Sequence, residues 1–315
     1  MCGASSTPKT INISAESGNL YLKFPITSLK TVRLKYYRLH LLALTALFLA
    51  VVHTGLAFAS GGVSLPFKPG ERLTYDVTWM GVLGGEGVLS VGGEIDYNGH
   101  QVYVLKSVAR SIGFLRKLYK VDDHTKSFFD VNKLVSHRVE INISEGNYRK
   151  KKIIEFNQQK GVASYFINDK EPEIFEIDPK SQDSFSSLYA IRALGAKLTV
   201  GNPLFIPVFE DKKKYTLKVN VARRERLSLP QGLVDTVVLE PQLKTEGIFL
   251  RKGKMTIWLT DDESLTPVVI RSKILIGAFY ATLRSYEGVK INFIPYKKHS
   301  AYDKQGAHDE RGEKK

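Results

Sequence analysis

The sequence predicts a mainly β protein, a curved antiparallel sheet of barrel or half-barrel form, with one short helix near residues 183–194. Three observations predict it. Beyond residue 61 the hydrophobic period is two, turn residues interrupt it at short intervals, and one segment switches to helical spacing. Many short alternating strands point to an antiparallel sheet, closed, half-closed or folded as a sandwich.

The strands follow from side-chain alternation. In "LTYDVTW", Leu73, Tyr75, Val77 and Trp79 share one face, and Thr74, Asp76 and Thr78 the other. "HRVEINIS" sets Val139, Ile141 and Ile143 against Arg138, Glu140 and Asn142, and "YTLKVNVA" repeats the pattern over 215–221. Similar runs fall near 88–97, 102–111, 152–157, 162–168, 234–240, 255–260 and 268–283. Asn98-Gly99, Gly146-Asn147, Asn202-Pro203, Pro230 with Gly232, and Pro241 separate them. The glycines of "GVLGGEGVLSVGG" lie between two strands without a Gly-Lys-Ser/Thr sequence, so they are expected to serve tight turns and close backbone approach rather than phosphate binding.

"SQDSFSSLYAIRALG" breaks the pattern. Phe185, Leu188, Tyr189 and Arg192 recur at helical spacing, Asp183 or Ser184 can cap the start, and Gly195 stops the end. This helix is expected to cover one end of the sheet. In "KMTIWLTDDESLTPVVIRSKILIGAFYATL", Asp261, Asp262 and Glu263 lie between two apolar runs. Consecutive acids on a turn diverge, so they read as a hairpin tip rather than a catalytic pair or calcium loop. The run 268–283 reads as one long strand bent at Gly277, entering an apolar concavity with Leu275 and Phe279.

The start of the chain carries an address. A basic flank (Lys30, Arg33, Lys35, Arg38), an apolar run over 41–52 and the close Ala57-Phe58-Ala59 form a signal peptide over 30–59, with cleavage expected between Ala59 and Ser60. Residues 1–29 read as an extension from a start placed too early, 60–295 as a single β-rich domain, and 296–315 as a disordered polar tail. The expected location is the periplasm. The alternative is an inner-membrane anchor formed by the uncleaved segment, although the apolar run is shorter than the ~20 residues of a comfortable span. The one cysteine, Cys2, precedes the leader, so beyond cleavage there is no disulfide and no thiol chemistry.

Charge and motifs bound the partners. Six of the 46 Lys/Arg and one of the 32 Asp/Glu lie before residue 60, which leaves 40 against 31 and a net charge of +9. "YRKKK" and "DKKKY" concentrate it; each reads as solvated strand ends and turns, or as an attraction to anionic envelope components. No zinc-finger spacing or helix-turn-helix supports nucleic acid. Of His100, His124, His137, His299 and His308, none stands at ligand spacing from another, so no metal is expected, and Asp122-Asp123-His124 reads as a surface turn. No G-x-S-x-G elbow is present, and no catalytic residue or cofactor is assigned.

Three blocks, "FKPGERLTYDVTWMGVLGGEG", "DSFSSLYAIRAL" and "GIFLRKGKMTIWLTDDESLTPVVIRSKILIGAFYATL", together resemble the bacterial domain-of-unknown-function 3108 family over most of residues 65–290. The resemblance implies an exported, mostly β envelope protein of Gram-negative type and brings no catalytic residues with it. Within the blocks, Pro69-Gly70 is a turn opening the first strand, and Glu71 has Arg192 as a candidate partner. Tyr189 and Arg192, one helical turn apart, are candidate ligand contacts, with a salt bridge fixing the helix as the alternative reading of Arg192. The expected function is binding of a lipid-like or glycolipid ligand in the concave sheet, with only peripheral membrane contact. An interaction module of an envelope or polysaccharide-export assembly is the second reading, and a hydrolase of envelope polymers the third.

Overall fold

The structure is a computed structural model and describes residues 64–168, 170–243, 254–273 and 277–296. The leader, its Ala59–Ser60 junction, Leu275 and the polar tail beyond 296 lie outside the described residues. Strands dominate, as the period-two pattern predicts. They are β1 (Arg72–Trp79), β2 (Val82–Tyr97), β3 (His100–Ser111), β4 (Asp122–Asp130), β5 (Ser136–Glu145), β6 (Tyr148–Asn157) and β7 (Val162–Ile167). There follow β8 (Glu173–Glu176), β9 (Leu204–Glu210), β10 (Lys213–Leu229), β11 (Gly232–Leu243), β12 (Met255–Thr260), β13 (Pro267–Lys273) and β14 (Ala278–Glu287). Helix α1 (Gly113–Leu118) follows β3, and α2 (Ser186–Ala193) lies between β8 and β9.

All strands join one antiparallel sheet in the order β8-β7-β6-β5-β4-β3-β2-β1-β14-β13-β12-β11-β10-β9. The sequence therefore makes two meanders, one from β1 out to β8 and one from β9 back to β14, joined where β1 pairs with β14. The sheet curls until its edge strands face each other, but their ladder does not close. Phe209 of β9 meets Phe175 of β8 at 5.6 Å between ring centroids, with Tyr165 and Phe156 edge-on beside it. The segment before α2 fills the gap: Gln182 donates its N–H to Pro207 and its carbonyl accepts from Phe209. Ion pairs run along this seam, the buried Lys152 to Asp211 at 2.6 Å, and on its exposed side Lys212 to Glu173 at 2.5 Å and Lys214 to Glu176 and Asp178.

Helix α2 plugs the curl. Residues 186–192 are all buried, and Leu188, Tyr189 and Ile191 join the core with Leu73, Leu105, Phe129, Val219, Leu239 and Leu259. Its start is held as the capping pattern predicts: Asp183 Oδ1 accepts the N–H groups of Phe185 and Ser186, both at 2.8 Å. The other carboxylate oxygen accepts the hydroxyls of Ser127 and Ser136 from β4 and β5, so one side chain caps the helix and ties it to the sheet wall.

Four expectations change. The run 268–283 is a hairpin, β13 and β14 paired with Lys273 opposite Ala278, not one bent strand. Gly277, where the sequence reading expected a bend, lies between the two strands with φ +79°. Asp122-Asp123-His124 starts strand β4 instead of forming a surface turn. Of the glycines between β1 and β2, only Gly81 is in the turn (φ +81°); Gly84, Gly85 and Gly87 belong to β2. Lys152, from the run read as solvated, is buried. The acidic tip at 261–264 is a connector, as expected: Asp262 Oδ1 accepts the N–H and hydroxyl of Ser264 and the hydroxyl of Thr260.

Candidate functional site

The site is an apolar hollow at the end of the sheet where β1 turns into β2. It arises because three antiparallel strands send matched residues inward at each level. Tyr75, Val77 and Trp79 follow each other on the inner face of β1, opposite Leu283, Ala281 and Phe279 of β14. Gly87 and Gly85 stand opposite Tyr75 and Val77 on β2. Burial relaxes along this row: Tyr75 and Leu283 are buried, Val77 half-buried, and Trp79 and Phe279 half-buried and stacked at 6.2 Å. The core thus opens toward solvent by degrees.

Small side chains leave the room. A Cβ on Gly87 would only touch Tyr75 and Val77, at 3.7 Å, so the space beside it is empty rather than filled by a neighbour. The resulting cavity is about 90 Å³ and is walled by Val77, Leu89, Val108, Ile141 and Ile270, with Leu188 of α2 and Phe185 just before it as its floor. A few polar groups face it, among them Asp123, Thr125 and Asp183. Asp123 is buried and accepts the N–H of Ser144 at 2.7 Å; burial pushes its carboxyl up to about 6. At this end of the sheet Met80 of the β1–β2 turn, Val82 and Leu83 at the start of β2, and Phe114 and Leu118 of α1 are exposed. Helix α1 is held against β2 by the Ile112 N–H to Gly84 carbonyl bond, and Leu115 occupies the space a Gly84 side chain would take.

The predicted site residues divide. Phe279 pairs with Trp79, one step along β14 from Ala281 and outside the cavity lining. Tyr189 and Arg192 sit deeper, in packed interior outside the cavity lining. Arg192 is 1% exposed and makes two bonds to Glu71, at 2.6 and 2.7 Å, plus one to the Ser264 carbonyl at 3.0 Å. Its guanidinium also lies over the rings of Phe67 and Tyr189. Burial raises the Tyr189 phenol far above its ordinary range, so it stays neutral. This cluster fastens α2 to the strand that opens the domain. The residues that reach the hollow from this segment are Phe185, just before α2, and Leu188 within it, which the sequence marked only as part of an apolar stripe.

The local acid–histidine cluster is split by strand alternation. Asp123 and Thr125 face inward with Ser127, whereas Asp122 and His124 face out, where Asp122 accepts from Arg110 at 2.9 Å and meets His124 at 3.1 Å. Among the described residues, no histidine is hydrogen-bonded to a serine. Adjacency in the chain placed these groups on opposite sides of the wall.

Two other charged groupings became visible only with the fold. Glu210 is buried at the seam, where its Oε2 accepts the Tyr215 hydroxyl at 2.9 Å; burial, followed by the neighbouring Asp211 charge, pushes its carboxyl up to about 7. At the other end of β3, β4 and β5, His100, Asp130 and His137 converge. Their sequence separations carry no ligand pattern, and only the register of three strands unites them.

Comparison with known proteins places residues 74–284 in the family described as "Protein of unknown function (DUF3108)". No curated protein matches the chain. Among solved structures, it is similar to a β-barrel-like protein of domain of unknown function DUF1849 from Brucella abortus, with a TM-score of 0.47, 11% identity, and coverage of 70% of this chain and 97% of that one. It is also similar to a putative exported protein with a YmcC-like fold from Bacteroides fragilis NCTC 9343, with a TM-score of 0.30, 9% identity, and coverage of 70% and 97%. No helix among the described residues is long and apolar enough to cross a membrane.

Proposed function

The chain belongs to the DUF3108 family, and from that premise we propose that it is an exported, periplasmic, non-catalytic binding protein that takes an apolar chain of an envelope lipid or glycolipid into the hollow at the β1–β2 end. The observation that carries this reading is the inward row that passes from Tyr75 to Val77, with Gly87 and Gly85 across from it on β2 and Ala281 across from Val77 on β14. Filling such a hollow with hydrocarbon removes its lining from water, at roughly 25 cal/mol per Å² of apolar surface. The cavity of about 90 Å³ is well below the ~300 Å³ at the small end of ordinary ligand pockets. It therefore accepts the end of one chain, with the rest of the lipid lying over Met80, Val82, Leu83 and Phe114 at this end of the sheet. Export rests on the leader at residues 30–59.

Lipid extraction and native mass spectrometry of the protein purified from the envelope fraction test the reading. A bound species of lipid mass, released by organic solvent, is expected. Protein that is uniformly free of lipid, and that takes up none from added envelope extract, contradicts it.

A second reading, an interaction module of an envelope assembly, draws on the same exposed apolar rim, since contiguous exposed apolar side chains mark contact surfaces. Capture of a protein partner, abolished by Phe114→Ser and Leu118→Ser, in the absence of any lipid would favour it.

A further inference from the structure

We propose that His100, Asp130 and His137 form a binding site for a zinc-type divalent transition-metal ion, at the opposite end of β3 from the β3–α1 connection. His100 opens β3, Asp130 closes β4, and His137 lies at the start of β5. Because the three strands are adjacent and antiparallel, these ends coincide. One ligand atom from each residue lies within 4.8 Å of the others. His137 Nε2 is 2.9 Å and His100 Nδ1 3.4 Å from the same oxygen, Asp130 Oδ2. Ligand atoms about 2.0–2.1 Å from a tetrahedral zinc are roughly 3.3 Å apart, so the observed separations need little adjustment.

The surroundings hold the donors in place. Asp130 Oδ1 accepts the N–H groups of Asn132 and Lys133, at 2.9 and 2.7 Å, which fixes the carboxylate and leaves Oδ2 for the imidazoles. The turn that carries these amides is itself pinned. Leu134 donates its N–H back to the Asp130 carbonyl, Asp130 N–H bonds Val135, and the Leu134 carbonyl accepts from Gln182. The two imidazoles stack 4.0 Å apart at 20°, so protonating both would place like charges in contact, and one carboxylate would balance only one of them. A divalent ion bound by two neutral imidazoles and one carboxylate resolves this. Asp130 and His137 are buried while His100 is 28% exposed, so one side remains open to solvent for a water or a further ligand. Two nitrogens and one oxygen suit zinc, cobalt, nickel or copper rather than calcium or magnesium.

The test is titration of the EDTA-stripped chain with zinc sulfate alone, read by isothermal calorimetry and native mass spectrometry, with cobalt chloride as a spectroscopic probe. One ion per chain and the visible absorption of four-coordinate cobalt are expected. His100→Phe retains the ring stack, and Asp130→Asn retains an oxygen for the two amides; each is expected to weaken binding at least ~100-fold, as loss of a direct ligand exceeds the 10–100-fold typical of outer partners. The proposal is overturned if no stoichiometric zinc binds, or if both variants bind as the parent does, or if His124→Ala and not His100→Phe removes the ion. Circular dichroism of the stripped variants separates a lost ligand from a lost fold.

Discussion

Arg192 is the side chain on which the interior depends most heavily. It is a long cation at 1% exposure, and its charge is balanced by Glu71, equally buried, through a two-bond fork. Desolvating both groups is costly, and the attraction between them repays that only while both are present. Glu71→Leu alone should therefore destabilise the protein by about 3–5 kcal/mol, because an unpaired guanidinium is left in the core. Adding Arg192→Met should recover most of that loss. Urea unfolding of the two single variants and the double variant measures it. Equal losses that simply add would show that the pair is not coupled. The sequence suggested this partnership from two residues 121 positions apart, since a charged residue on the apolar face of a helix needs a counter-charge.

Elements were legible where one face is buried and the other wet. β1, β5 and β10 followed directly from alternation, and α2 from its spacing and cap. The reading faltered where local pattern and fold disagree. β4 begins with two acids and a histidine, a composition typical of turns, and only the register with β3 and β5 makes it a central strand. β13 and β14 look like one run because both are apolar; their antiparallel pairing, with Lys273 opposite Ala278 and Gly277 at positive φ between them, is not revealed by composition. Gly85 and Gly87 fell in a run expected to serve tight turns and close backbone approach, without a distinction between its members. Here their lack of a side chain makes the hollow, and that required knowing that Tyr75 and Val77 stand opposite them. The apolar character of the site was readable, but its position was not. The converging histidines were invisible for the same reason, since register and not spacing unites them.

At the scale of the whole molecule, the sheet is a curl whose edges meet through side chains, so its seam responds to charge. Glu210 lies in that seam with its carboxyl raised from the ordinary 4.5 to about 7 by burial and by Asp211. An acid whose folded value exceeds its unfolded one holds a proton in the folded state across the interval. Its contribution is therefore retained below about 4.5 and lost as pH rises to about 7. Glu210→Gln removes that slope. The stability difference between parent and variant should shift by up to roughly 3 kcal/mol over this range, at 1.36 kcal/mol per unit. Unfolding curves collected across the interval measure it, and a pH-independent difference would place Glu210 outside the seam's charge balance.

Under the proposed function the hollow receives a lipid chain, and Trp79 lies half-buried at the far end of the row that leads out from Tyr75 and Val77. The sequence has two tryptophans, Trp79 and the buried Trp258, so a Trp258→Phe protein reports from Trp79 alone. Titrating it with a single-chain lysophospholipid, below micelle formation, tests the central claim most directly. The account predicts a saturable blue shift of Trp79 emission that Gly87→Val abolishes by filling the hollow while leaving the strand pairing intact. An emission that does not move, or a shift that Gly87→Val leaves unchanged, would contradict it.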